Sequence, residues 1–108
     1  MIHWPAIIHF SGDAELVFIL NQSQWLEDQD LHSQHYHTAD RLIDSDGNLY
    51  ALTSRIDGKI VPVADGAQIA LIALIDLIRA HASQDGQCCV SKFSADSIRE
   101  AIAMMEQL

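Results

Sequence analysis

The stretch RLIDSDGNLYALTSRIDGKIVPVADGAQIALIALIDLIRAHAS, Arg41–Ser83, decides the fold, because the spacing of its apolar residues changes partway along. RLID (Arg41–Asp44) and NLYALTSRI (Asn48–Ile56) read as strands around the turn signal SDG. A second Asp-Gly pair, Asp57–Gly58, tolerates the positive φ angles of a two-residue hairpin turn, so KIVPV is expected to fold back on SRI. Pro62 lacks an N–H and makes that return strand an edge or a connector. From Asp65 the period lengthens, and the spacing predicts a helix of four to five turns over Asp65–Ser83 with Asp65 as N-cap. Gln68, Asp76, Arg79 and Ser83 fall on one narrow arc, while Ile69, Leu71, Leu74, Leu77 and Ile78 cover most of the rest. So wide an apolar face suits a helix buried on a sheet, or one that also meets a partner subunit.

Upstream, PAIIHF (Pro5–Phe10) and ELVFIL (Glu15–Leu20) flank the Gly-containing turn SGDA and predict a β-hairpin. Asn21 and Ser23 offer caps for one or two helical turns carrying Trp25 and Leu26. Downstream, QDG ends the long helix with a glycine suited to a left-handed cap, and QCCVSKF (Gln87–Phe93) is a short strand candidate. SADSIREAIAMMEQL closes the chain as an amphipathic helix with Ser94 as N-cap. The expected architecture is α+β: a mostly antiparallel sheet built from hairpins, with the long helix and the C-terminal helix packed on one face. At 108 residues, one domain over 1–108 is expected, long enough for its own core.

The totals narrow the function. A net charge of −9 repels phosphate, so nucleic acid and anionic membrane surfaces are excluded as expected partners. The six basic residues (Arg41, Arg55, Lys59, Arg79, Lys92 and Arg99) form no patch along the chain. The two cysteines, Cys88 and Cys89, are adjacent rather than spaced as a disulfide framework. The N-terminus has no basic region before its apolar stretch, so no signal peptide is expected, and a reducing cytoplasm is the expected compartment.

LHSQHYHTAD (Leu31–Asp40) places His32, His35 and His37 within six positions. These are the metal-ligand candidates, since imidazoles, thiolates and carboxylates make up zinc sites. No single regular conformation aligns all three, and no spaced Cys pair or H-E-x-x-H completes them. A polar loop with some pH sensitivity is therefore the expectation, with a metal site as the alternative. DSDGN (Asp44–Asn48) fails as a calcium loop: with Gly47 at its sixth position, Leu42 would hold the first ligand position and cannot coordinate. A catalytic Cys88 or Cys89 would need a base, for which His81 is a candidate. No nucleophile elbow, phosphate loop or dinucleotide fingerprint occurs, and Asp28, Asp30, Asp40, Asp44 and Asp46 single out no acid–base pair.

The segments WPAII, LIDSDGNLYAL, LIRAHASQDGQCCVSKF and SIREAIAMMEQL together resemble a family of short bacterial proteins classed as a domain of unknown function. The resemblance spans nearly the whole chain and implies a free-standing bacterial cytoplasmic domain, without transferring a site. The combined expectation is a small non-enzymatic cytoplasmic domain with no catalytic residue and no cofactor, binding a protein partner or itself. The alternative is a metal-binding or pH-responsive protein using His32, His35 and His37.

Overall fold

A computed structural model describes residues 1–84 and 93–107. Five strands form one antiparallel sheet in the order β2-β1-β3-β4-β7. β1 (Ala6–His9) and β2 (Leu16–Ile19) make the expected first hairpin, in register Ala6↔Ile19 to His9↔Leu16. β3 (Arg41–Ile43) and β4 (Asn48–Ala51) flank the DSDG turn, with Leu42 opposite Tyr50. β5 (Arg55–Ile56) and β6 (Lys59–Ile60) form a separate hairpin across Asp57 (φ 53°) and Gly58 (φ 79°). Both turn residues thus adopt the positive φ that a two-residue turn of this hand demands. Pro62 lies in the connector to the edge strand β7 (Val63–Gln68).

Ala6, Ile7 and Ile8 are all buried, because the sheet is covered on both faces. Alternation sends Ala6, Ile8, Leu42 and Tyr50 to one core. There they meet Trp25 of α1 (Gln22–Glu27), Leu31 of α2 (Gln29–Ser33) and Ile60 of β6. Ile7 and Ile43 face the other way, onto Leu74 and Ile78 of α3 (Leu71–Gln84) and Ala101 and Ile102 of α4 (Ile98–Met104). The long and C-terminal helices therefore share one face, as the sequence implies. The short helices and the β5–β6 hairpin form a third layer that no apolar period announces.

Two boundaries differ from expectation. ADGAQ belongs to β7 rather than to the long helix, which starts at Leu71. Gly66 has φ +82°, outside helical space, and Asp65 caps no helix. Its Oδ1 accepts from Ala67 N at 2.8 Å and its Oδ2 from Arg41 Nε at 2.8 Å. These bonds close a bulge that lets Gln68 pair with Asn48 while Ala64 pairs with Tyr50. The C-terminal helix is capped by Ser97, not Ser94: Ser97 Oγ accepts from Glu100 N at 3.1 Å. Ser97 has the glutamate three residues on that completes a capping-box spacing, whereas Ser94 has Ser97 there. Of the proposed strand Gln87–Phe93, residues 87–92 lie outside the described residues, as does the Gly86 cap, and Phe93 is not in a strand.

Candidate functional site

The histidine stretch does not act as one group. His32 is buried in α2, and both ring nitrogens are committed: Nε2 donates to Trp25 O at 2.7 Å and Nδ1 accepts from Ile60 N at 2.9 Å. This pattern defines the neutral ring protonated at Nε2. The ring also packs edge-on against Trp25, with centroids 4.7 Å apart. His32 thus bolts the β5–β6 hairpin to α1, and a metal would have to displace both bonds. His35 and His37 are exposed on either side of Tyr36, which stacks on Phe10 and donates to Leu31 O at 2.8 Å. Burial and the nearby charges of Asp28 and Asp40 push the Tyr36 phenol up to about 12, against a smaller opposing effect of Arg55. Asp40 fixes the end of the loop by accepting from Ser11 N at 2.8 Å and His37 N at 2.7 Å. Among the described residues, no group of three or more His, Cys, Asp or Glu side chains is placed to hold a metal ion.

His81, considered as a base for the cysteines, lies near the C-terminal end of α3, and its Nδ1 accepts from Leu16 N at 3.0 Å. It ties α3 to the edge strand β2. Cys88 and Cys89 lie outside the described residues.

Among the described residues the most connected polar group is Asp44, fully buried where β3 turns into β4. Its Oδ1 accepts from Asp46 N at 3.0 Å and Asn48 N at 2.9 Å. Its Oδ2 accepts from His3 N at 3.1 Å and Asn48 Nδ2 at 3.3 Å, and lies 3.1 Å from the Tyr50 hydroxyl. Burial alone would raise this carboxyl, but the bonds from His3, Asn48 and Asp46 outweigh it and hold Asp44 below the usual aspartate range. Burial and the Asp44 charge push Tyr50 upward in turn. A carboxylate so fully engaged has no oxygen left over for a substrate proton. Its role is to hold a strap, residues Met1–Pro5, across the end of the sheet.

The strap is pinned along its length. Ser45 N donates to His3 O at 2.9 Å, Ser45 Oγ to Pro5 O at 2.6 Å, and the Tyr50 hydroxyl has Met1 O 3.0 Å away as its other acceptor. Outside, Asp46 meets His3 Nε2 at 3.3 Å and Arg99 of α4 at 3.1 Å. Held this way, Met1, Ile2 and Trp4 form one wall of a cleft of about 480 Å³. Trp25 and Leu26 of α1 form the opposite wall, and Ile60–Pro62 the end. Both tryptophans of the chain meet here, and none of the lining side chains is charged. Leu26 is 43% exposed and Met1 fully so. Trp4 and Trp25 are 21 positions apart on different elements, so no local pattern in the sequence pairs them.

The model of the family DUF4144, described as a protein structure with unknown function, matches residues 4–105. The chain belongs to that family, which agrees with the resemblance its segments carry. The solution structure of a protein from Shewanella amazonensis is similar to this chain, with a TM-score of 0.68 and 30% identity over 100% of this chain and 90% of that one. No match is found among curated proteins.

Proposed function

We propose that the chain is a single non-enzymatic binding domain of the cytoplasm, and that the Trp4–Trp25 cleft receives an apolar segment of a basic partner protein. The observation that carries this reading is the convergence of the half-buried Trp4 with the exposed Leu26 and Met1, and with the buried Trp25 in the same lining, in one cleft whose side chains are uncharged. Aromatic side chains rimmed by accessible apolar surface are the usual anchors of protein recognition. The net charge of −9 favours a cationic partner and opposes a second copy of the same chain. A non-enzymatic role fits Asp40 and Asp44, the two buried carboxylates among the described residues, both engaged in backbone hydrogen bonds. No helix among the described residues is long and apolar enough to cross a membrane.

The test is a titration with an amphipathic Lys/Leu peptide and its Glu/Leu counterpart, followed by tryptophan fluorescence. The Lys/Leu peptide should give a saturable, salt-sensitive change. Leu26→Asp should weaken it by about tenfold or more, roughly 1.4 kcal/mol, with little loss of stability because the side chain is already half in solvent. Equal response to both peptides, or an unchanged response in Leu26→Asp, would sink the proposal.

A further inference from the structure

We propose that Asp57–Gly58 is a site of spontaneous aspartate isomerisation, singled out from the chain's other described Asp–Gly pairs by its placement. The described residues contain three such pairs: Asp46–Gly47, Asp57–Gly58 and Asp65–Gly66. In the reaction the protonated side-chain carboxyl of aspartate is attacked at Cγ by the following amide nitrogen. A C–N bond forms, the C–OH bond breaks, and the amide proton leaves with the hydroxyl as water, giving a five-membered succinimide. Water then adds to one of the two ring carbonyls, returning aspartate or leaving isoaspartate, in which the main chain runs through the side chain. Glycine permits the attack because no side chain crowds its nitrogen.

Two of the pairs are locked against this chemistry. The Asp46 carboxylate is held by Arg99 at 3.1 Å and His3 at 3.3 Å, and the buried Gly47 has its N–H bonded to Asp44 O at 2.9 Å. The Asp65 carboxylate is held on one oxygen by Ala67 N and on the other by Arg41, each at 2.8 Å. All three aspartates are exposed and Gly66 is as open as Gly58; what sets Asp57 apart is its carboxylate and its turn. The Asp57 carboxylate has no hydrogen bond or ion pair among the described residues. Gly58 has no atom within 4 Å of where a Cβ would stand. The hairpin ladder pairs Arg55 with Ile60 and Ile56 with Lys59, leaving the Gly58 N–H outside it.

Ring closure requires Asp57 to leave its left-handed conformation and swing Cγ over the Gly58 nitrogen. Only the tip has to yield: Asp57 and Gly58 are exposed and outside the ladder, while Arg55 and Ile60 keep the base of the hairpin tied to His32 and Gln34. The product adds a methylene to a turn whose register depends on two residues, so the Ile56↔Lys59 pairing would not survive it.

The experiment compares isoaspartate formation at residues 46, 57 and 65 in the full chain held at neutral pH, folded and in urea. Each site is read by peptide mapping with electron-transfer fragmentation. In urea the three sites should convert at similar rates. In the folded protein site 57 should stay within a few-fold of its urea rate while sites 46 and 65 slow by about tenfold or more, since they react only through larger openings. Asp57→Glu should remove the signal at that site alone. Folding that protects site 57 as strongly as the other two, or isoaspartate appearing first at 46 or 65, would overturn the assignment.

Discussion

Asp44 shows how one side chain can decide the end of a sheet. Its folded value lies below the ordinary aspartate value of about 3.9. Its stabilising contribution is therefore complete above that pH and is lost as the pH falls through the folded value. Asp44→Asn should cost about 3 kcal/mol at neutral pH, because it sets an amide donor against buried N–H groups. It should also flatten the acid limb of a denaturant-unfolding series, and an unchanged limb would show that Asp44 is not the group titrating there. His32 is the second anchor: His32→Leu leaves Ile60 N–H and Trp25 C=O unpaired. The expected loss is roughly 2 kcal/mol or more, with altered Trp25 emission. Tyr36 ionises only near pH 12, and Tyr50 also above its ordinary value. An alkaline absorbance titration should accordingly show less tyrosinate at pH 10 than two free phenols would give, a free phenol being about half ionised there. None of these roles is visible in the sequence, where Asp44 reads as an ordinary turn residue and His32 as one of three loop histidines.

At the scale of elements, the DSDG turn joins the N-terminal strap, the sheet and α4. Gly47 has φ +83°, and its O accepts from Ile69 N at 2.9 Å. A Cβ there would stand 2.7 Å from Ile98 Cδ1 and 3.3 Å from Ile69 O. Gly47→Ala should thus cost about 2 kcal/mol or more, combining left-handed strain with overpacking. Ile98→Val deletes the clashing Cδ1, so a double-mutant cycle should recover the steric part and leave the φ strain. Additive single effects would refute the contact. The edge strand β2 is also guarded: the N–H of Leu16 is taken by His81 and that of Leu20 by the Gln24 side chain. Such caps limit the outward pairing that an unprotected edge invites. The hairpins were legible because Asp-Gly between apolar runs has a local cause. The misplaced helix start has a local cause too, since Gly66 and the Asp65 turn mimic a cap when only spacing is considered.

For the whole molecule, charge and apolar surface pull in opposite directions. At −9 the folded chain repels itself, so its unfolding midpoint should rise with sodium chloride across the range in which surface charges become screened. Light scattering should find a monomer at low salt. A dimer over the micromolar range that is lost in Leu26→Asp would move the cleft's occupant from a basic partner to a second copy. The helix α3 is less of an outlier than its composition suggests. Leu74, Ile78 and Ala82 are buried on the sheet side, and of its long aliphatic side chains Ile72 stands out in solvent at 74% exposure.

The sequence by itself determined the α+β class, the hairpin turns at Asp46–Gly47 and Asp57–Gly58, and the amphipathic C-terminal helix. It also determined the net charge of −9. Each follows from short-range causes: alternation, the φ freedom of glycine, helical period and summed charge. Only the tertiary structure decided that the sheet is covered on both faces, that Asp40 and Asp44 are buried anchors, and that His32 faces inward while His35 and His37 do not. It alone brought Trp4 to Trp25. Those outcomes depend on hydrogen bonds and contacts between residues far apart in the chain, such as His3 with Asp44 and His32 with Ile60, whose partners no local pattern specifies.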